Sequence, residues 1–102
     1  MDTSPVIVQP MIYILELEND KYYVGITTNM NYRWGQHKQG MGSNWTRLHR
    51  PIRIQEVICD SNKHMENDKT LQMMKKYGWE NVRGGNWCTV DLKAPPQGLE
   101  AK

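Results

Sequence analysis

This chain lacks most of the features that mark a specialised class of protein. Its 102 residues include only two cysteines, Cys59 and Cys88. Two are too few for a disulfide framework, so free, buried thiols in a reducing compartment are expected. A zinc site assembled from Cys59, His64 and Cys88 would lack both paired C-x-x-C spacing and a fourth ligand. No apolar run approaches the roughly 20 residues that cross a bilayer, so no membrane partner is expected. The segment Met1–Pro10 is neither basic nor followed by a signal-like apolar stretch, so no secretion signal is expected and the expected location is intracellular, in cytoplasm or nucleus. There is no internal repeat and no low-complexity block. What remains is a composition of 38% hydrophobic and 24% charged residues, which describes one modest globular domain.

Acid is absent from a second, more informative place. Between Lys21 and Gln55 there is no Asp or Glu, although the same window carries Lys21, Arg33, Lys38, Arg47, Arg50 and Arg53 with His37 and His49. The net charge of +2 conceals this asymmetry. A basic middle third with Tyr32, Trp34 and Trp45 interleaved suits a face that follows a phosphate backbone, or an ordinary solvated surface.

Hydrophobic periodicity orders the rest. Met11–Glu18 alternates, with Tyr13, Leu15 and Leu17 on one face, and predicts a strand. Asn19-Asp20 is turn chemistry, and Tyr22–Thr27 is a second strand, antiparallel to the first. Thr28 or Asn29 can cap a helix running to about Gln39, ended by Gly40 and Gly42. Ser43 can cap a short helix over Asn44–His49, which Arg50-Pro51 stops. Ile52–Cys59 predicts a third strand. Asp60-Ser61-Asn62 caps a longer helix through Met65, Leu71, Met74 and Tyr77, with Gly78 as terminator. Residues 81–86 and the tail from Asp91 predict irregular chain. The expectation is an α+β fold in β-β-α-α-β-α order, with a three-stranded mixed or antiparallel sheet and helices packed against it. Residues 1–10 form a flexible lead-in, 11–90 the domain and 91–102 a flexible tail.

The polar residues suggest chemistry. Tyr13 and Tyr23 lie on neighbouring strands, and Arg33 and His37 are four apart on one helical face. Breaking a phosphodiester needs an in-line nucleophile and a cation on the non-bridging oxygens. Arg33 supplies a fixed charge with a planar fork that matches phosphate. Tyr13 and Tyr23 can orient a water or take its proton, although only ~0.1% of a free tyrosine is phenolate at pH 7. His37 can share the base role or polarise a tyrosine hydroxyl. Tyr22 points opposite to Tyr23 and is structural.

These residues resemble the GIY-YIG nuclease family. Met11-Ile12-Tyr13 stands where that family has its first triplet, and Tyr23-Val24-Gly25 where it has its second. Arg33-Trp34-Gly35-Gln36-His37 resembles the arginine and the histidine or tyrosine one helical turn later. Trp45-Thr46 with His49-Arg50-Pro51, and the run from Lys75 to Gly85, resemble short stand-alone members from large DNA viruses and mobile elements. The resemblance spans residues 11 to about 90. It implies a metal-dependent DNA endonuclease with catalytic Tyr13, Tyr23, Arg33, His37 and Glu66. Glu66 on the long helix would hold one Mg²⁺ (or Mn²⁺), an ion that keeps most of its waters. Lys38, Arg47, His49, Arg50 and Asn81 would contact DNA, with a homodimer or a separate specificity partner possible. This chain departs from the family at Met11, where the first glycine would be. It also departs at Asn67, where the short members carry their acid. The alternative expectation is an impaired nucleic-acid-binding or interaction module that keeps the fold.

Overall fold

The computed structural model describes residues 9–97 and 99. Strands β1 (Met11–Leu17) and β2 (Lys21–Thr27) are joined by a 3-10 turn over Glu18–Asp20. Asn19 and Asp20 take left-handed angles, φ 65° and 58°, which short polar side chains tolerate best among non-glycine residues. The hairpin runs in unbroken antiparallel register from Met11 opposite Thr27 to Leu17 opposite Lys21.

Three polar caps start the three helices. Asn29 accepts the Tyr32 N–H ahead of α1 (Met30–Lys38), and Ser43 accepts the Thr46 N–H ahead of α2 (Asn44–Leu48). Asn62 accepts the Met65 N–H ahead of α3 (Lys63–Tyr77). Each supplies an acceptor to a first-turn donor that has no partner within the helix. Gly78 ends α3 at φ 95°. Strand β3 (Pro51–Ile58) returns antiparallel along β1, with irregularities beside Leu15 and Leu17.

The sheet has four strands in the order β3-β1-β2-β4, one more than the three expected. The added strand, β4 (Val82–Gly84), pairs in parallel with β2 from Tyr22–Val82 to Val24–Gly84. Its composition hides it, because Gly84-Gly85 carries little β propensity. Pairing is decided at long range. Helix α3 returns the chain to the sheet edge, and Gly84 then approaches so closely that an added Cβ would stand 2.2 Å from the Val24 carbonyl oxygen. The α+β class holds, with a mixed sheet.

Burial also departs from simple alternation. Residues 12–15 and Leu17 of β1 are all buried, because both faces of the sheet are covered. Ile12, Ile14, Val24 and Val82 meet Met73 and Met74 of α3, with Leu71 and Tyr77 packed alongside. On the other face Tyr13, Leu15, Leu17 and Tyr23 meet Trp45 of α2 and Met30 and Trp34 of α1. Tyr22, on the α3 side, stacks on Tyr77 with ring centroids 4.1 Å apart.

The lead-in expected over residues 1–10 falls outside the described residues apart from Gln9 and Pro10. In the segment expected as a tail, Leu92 and Leu99 pack against the α3-side cluster. Both cysteines are free, but exposed rather than buried. Among the described residues no helix is long and apolar enough to cross a membrane.

Candidate active site

Four of the five expected catalytic side chains meet on the α1–α2 face. Tyr13 and Tyr23 project from the same side of the hairpin, their rings 6.2 Å apart, and the His37 ring sits 5.6 Å from the first and 5.1 Å from the second. The Tyr13 hydroxyl lies 2.8 Å from His37 Nε2 and accepts from Arg33 Nε at 3.2 Å. One helical turn separates Arg33 from His37, which is why both reach one phenol.

Two glycines make room for this contact. Gly25 lies opposite Tyr13 in the ladder. A Cβ there would stand 2.3 Å from the Tyr13 hydroxyl oxygen, so the bare backbone lets the phenol cross the strand. Gly42 plays the same part for His37, since its Cβ would meet Nδ1 at 2.1 Å. Its carbonyl also accepts from Arg33 Nη2 at 3.1 Å. Sequence reasoning assigns Gly42 only to ending a helix. Its close approach depends on tertiary packing and leaves no local signal.

The electrostatics follow from burial. Tyr13 is pushed up, because burial outweighs the nearby Arg33 guanidinium, and Tyr23 is pushed up by burial as well. His37, fully enclosed and beside Arg33, is pulled down to about 4. At neutral pH the cluster is therefore two neutral phenols, a neutral imidazole and one fixed cation. Arg33 Nη1 also donates to Gln36 at 2.8 Å. Its three bonds within the described residues, with the Tyr23 hydroxyl also drawing on it, leave at most two of about five guanidinium N–H donors for a ligand.

Glu66 comes from the opposite layer, in the first turn of α3. It is buried, at 4% exposure, and its charge is felt at Tyr13 and at the Cys88 thiol. Oε1 accepts from Lys63 Nζ at 2.8 Å, and that lysine side chain is 60% exposed. Asn67, the competing position, points elsewhere. Its Oδ1 accepts the Asn86 N–H at 2.9 Å and lies against Gly85. Among the described residues no group of three or more His, Cys, Asp or Glu side chains gathers to cage a metal. A single carboxylate is enough for Mg²⁺ when it keeps most of its waters, and Lys63 would have to leave Oε1 to admit the ion.

The expected DNA contacts divide. Lys38, Arg47 and Arg50 surround the loop after α1. Lys38 lies over the Trp34 ring, Arg47 donates to Asn44 at 2.9 Å, and Arg50 donates to the Lys38 carbonyl. Of the three, Arg47 lines an open groove of about 460 Å³, together with Gly40, Met41, Gly42, Ser43 and Asn44. His49 packs edge-on against Trp45, and its buried Nδ1 has no partner among the described residues. Asn81 is engaged elsewhere, bonding the Lys21 ammonium at 2.7 Å and the Tyr77 carbonyl at 2.8 Å.

The GIY-YIG catalytic domain matches residues 9–79, well over half of the chain. This chain belongs to the GIY-YIG family. Among curated proteins it is similar to a UPF0213 protein of Cupriavidus necator, 42% identical over 43 residues, 42% of this chain and 47% of that protein. A UPF0213 protein of Staphylococcus haemolyticus is 25% identical over 67 residues, 64% of this chain and 82% of the relative. One of Bacillus cereus is 29% identical over 70 residues, 69% of this chain and 67% of the relative. The chain spans about half the length of the curated Cupriavidus and Streptococcus relatives it matches. No solved structure matches it.

Proposed function

We propose that this chain is a divalent-metal-dependent endonuclease that hydrolyses DNA phosphodiester bonds at a single-metal site. The observation that carries the reading is the triad of Arg33, Tyr13 and His37, in contact through one hydroxyl. The remaining donors of Arg33 hold the non-bridging oxygens of the phosphate, where charge grows in the transition state. As Arg33 shifts toward that phosphate it uncovers the Tyr13 oxygen. Tyr13 then takes a proton from the attacking water and passes its own to the His37 Nε2 lone pair. A P–O bond forms to the water oxygen as the bond to the leaving oxygen breaks, and that oxygen takes a proton from solvent. Tyr23 packs beside this centre and orients the water. Glu66 would hold the divalent ion, which supplies Lewis-acid stabilisation of the phosphate charge. Lys38, Arg47 and Arg50 place the backbone without reading sequence.

Two features favour the second reading, a nucleic-acid-binding module that does not cleave. Tyr13 is fully enclosed, and Lys63 already occupies Glu66. One experiment separates the two: incubation of plasmid and branched DNA with the purified chain in Mg²⁺ or Mn²⁺ against EDTA, with Arg33→Ala, Tyr23→Phe and Glu66→Gln alongside. The nuclease reading expects metal-dependent cutting that falls about 100- to 1000-fold in Arg33→Ala, with binding largely kept and steeply salt-dependent. Salt-sensitive binding without cutting in any metal supports the module. Equal cutting by Arg33→Ala removes the role assigned to that residue.

A further inference from the structure

The Tyr13–His37 contact does not end at the imidazole. His37 Nδ1 lies 2.9 Å from the hydroxyl of Thr46, which is itself fully buried. Thr46 Oγ1 in turn lies 2.9 Å from Ser43 Oγ and 3.3 Å from the Ser43 carbonyl, and its single hydrogen serves one of the two at a time. Ser43 is half-buried and lines the open groove beside Arg47. A continuous file of hydrogen bonds thus leads from the enclosed phenol to the surface.

The direction of the file follows from the supply of donors. Arg33 Nε can only donate, so the Tyr13 oxygen accepts there, and the single phenolic hydrogen must go to its other partner. That partner is His37 Nε2, which is therefore the lone-pair nitrogen. The ring proton then sits on Nδ1 and is donated to Thr46, whose own hydrogen goes to Ser43 Oγ, the nearer of its two acceptors. The opposite tautomer would leave a buried phenolic hydrogen with no acceptor among the described residues, an arrangement that folded proteins avoid.

We propose that Thr46 and Ser43 extend the Tyr13–His37 pair into a proton relay, with Thr46 as the positioning residue that holds His37 as its Nδ1–H tautomer. When Tyr13 releases its proton, the O–H bond breaks and an Nε2–H bond forms. The Nδ1–H bond breaks as Thr46 gains that hydrogen and gives up its own to Ser43 Oγ, which passes one to solvent in the groove. One proton leaves the phenol, one reaches water, and the imidazole stays neutral throughout. Neutrality matters, because enclosure and the Arg33 charge oppose an imidazolium at this position. A relay that only exchanges tautomers avoids that state.

The relay's catalytic part rests on the nuclease reading, but the tautomer does not. A long-range ¹H–¹⁵N spectrum of the ¹⁵N-labelled chain at neutral pH should show His37 protonated at Nδ1 and bare at Nε2. Protonation at Nε2 in the unsubstituted chain would overturn the proposal whether or not DNA is cut. Thr46→Val keeps the shape and removes the hydroxyl. It should mix the two tautomers and lower kcat about 10- to 100-fold at unchanged KM, and Thr46→Ser should restore both. The proton inventory in mixed H₂O and D₂O should be more strongly curved for the unsubstituted chain than for Thr46→Val, where only the water-to-Tyr13 and Tyr13-to-His37 transfers remain. Unchanged kcat in a folded Thr46→Val, or equal curvature of the inventory in both chains, would overturn the relay. If Thr46→Val does not fold, the spectrum and inventory of the unsubstituted chain and of Thr46→Ser still decide it. If no chain cuts DNA, the nuclease reading fails while the spectrum still decides the tautomer.

Discussion

On the α3 side of the sheet, the side chains of Ile12, Ile14, Val24, Met73, Met74 and Val82 form a cluster that is itself wholly apolar. On the α1–α2 side, Tyr13, His37 and Thr46 are just as enclosed, but the side-chain polar atoms of these three all have partners. The two regions share strands β1 and β2 and differ by one step along the chain, since successive side chains point to opposite faces. An apolar face tolerates small shifts and responds to lost volume. A hydrogen-bonded face loses little volume when disturbed and responds to misplacement.

Substitutions on each side should therefore fail differently. The largest effect on stability belongs to the apolar face. Ile14→Ala should cost about 3 kcal/mol, seen as a lower urea midpoint, while cleavage by the folded fraction is unchanged. A lost rate in a chain that is still folded would mean that the faces are not independent. Next comes Gly25→Ala on the polar face. The new Cβ would displace the Tyr13 hydroxyl, and a misplacement of that size should lower cleavage about 100-fold, or about 2.7 kcal/mol in the barrier. Activity near that of the unsubstituted chain, with the fold intact, would remove Tyr13 from the chemistry.

The smallest effect is a pH dependence. His37 falls from 6.5 unfolded to about 4 folded, so in that window the unfolded chain binds more protons and stability rises with pH. The gain is complete above the unfolded value and is lost as pH falls toward the folded one. Between about pH 5 and 6.5 this amounts to roughly 1–2 kcal/mol. Urea unfolding across that range should show the slope, and His37→Gln should flatten it relative to the unsubstituted chain. An equal slope in both would assign the effect to other groups, His49 first, since burial pulls it down as well.

What could be read from the sequence was local. The caps at Asn29, Ser43 and Asn62, the Asn19-Asp20 turn and the Gly78 terminator each use residues within four positions. The spacing of Arg33 and His37 likewise puts both on one face of α1. Strand β4 was not legible, because three residues with a terminal glycine carry no periodic signal and their partner lies some 60 positions earlier. The parts played by Gly25 and Gly42 were hidden for a related reason. Each is defined by which side chain crosses it, and that is known only once the layers are assembled. The upward shift of both tyrosines was also out of reach, since Arg33 pulls them down and only the depth of burial shows that the opposing effect wins.

Arg83 bears on how this domain can be joined to others. Its guanidinium is buried at 3% exposure, lies 4.4 Å from the Trp45 ring centroid, and donates to the carbonyls of Trp79, Val82, Thr89 and Val90. No described carboxylate pairs with it. A chain shortened to the stretch that matches the family, ending at Trp79, would lose β4 and Arg83 together and expose the edge of β2. One ending at Thr89 would keep the arginine and strand one of its donors. For fusion or transplantation, the natural seam therefore lies beyond Leu99, which with Leu92 still packs against the α3-side core, twenty residues after the family match stops.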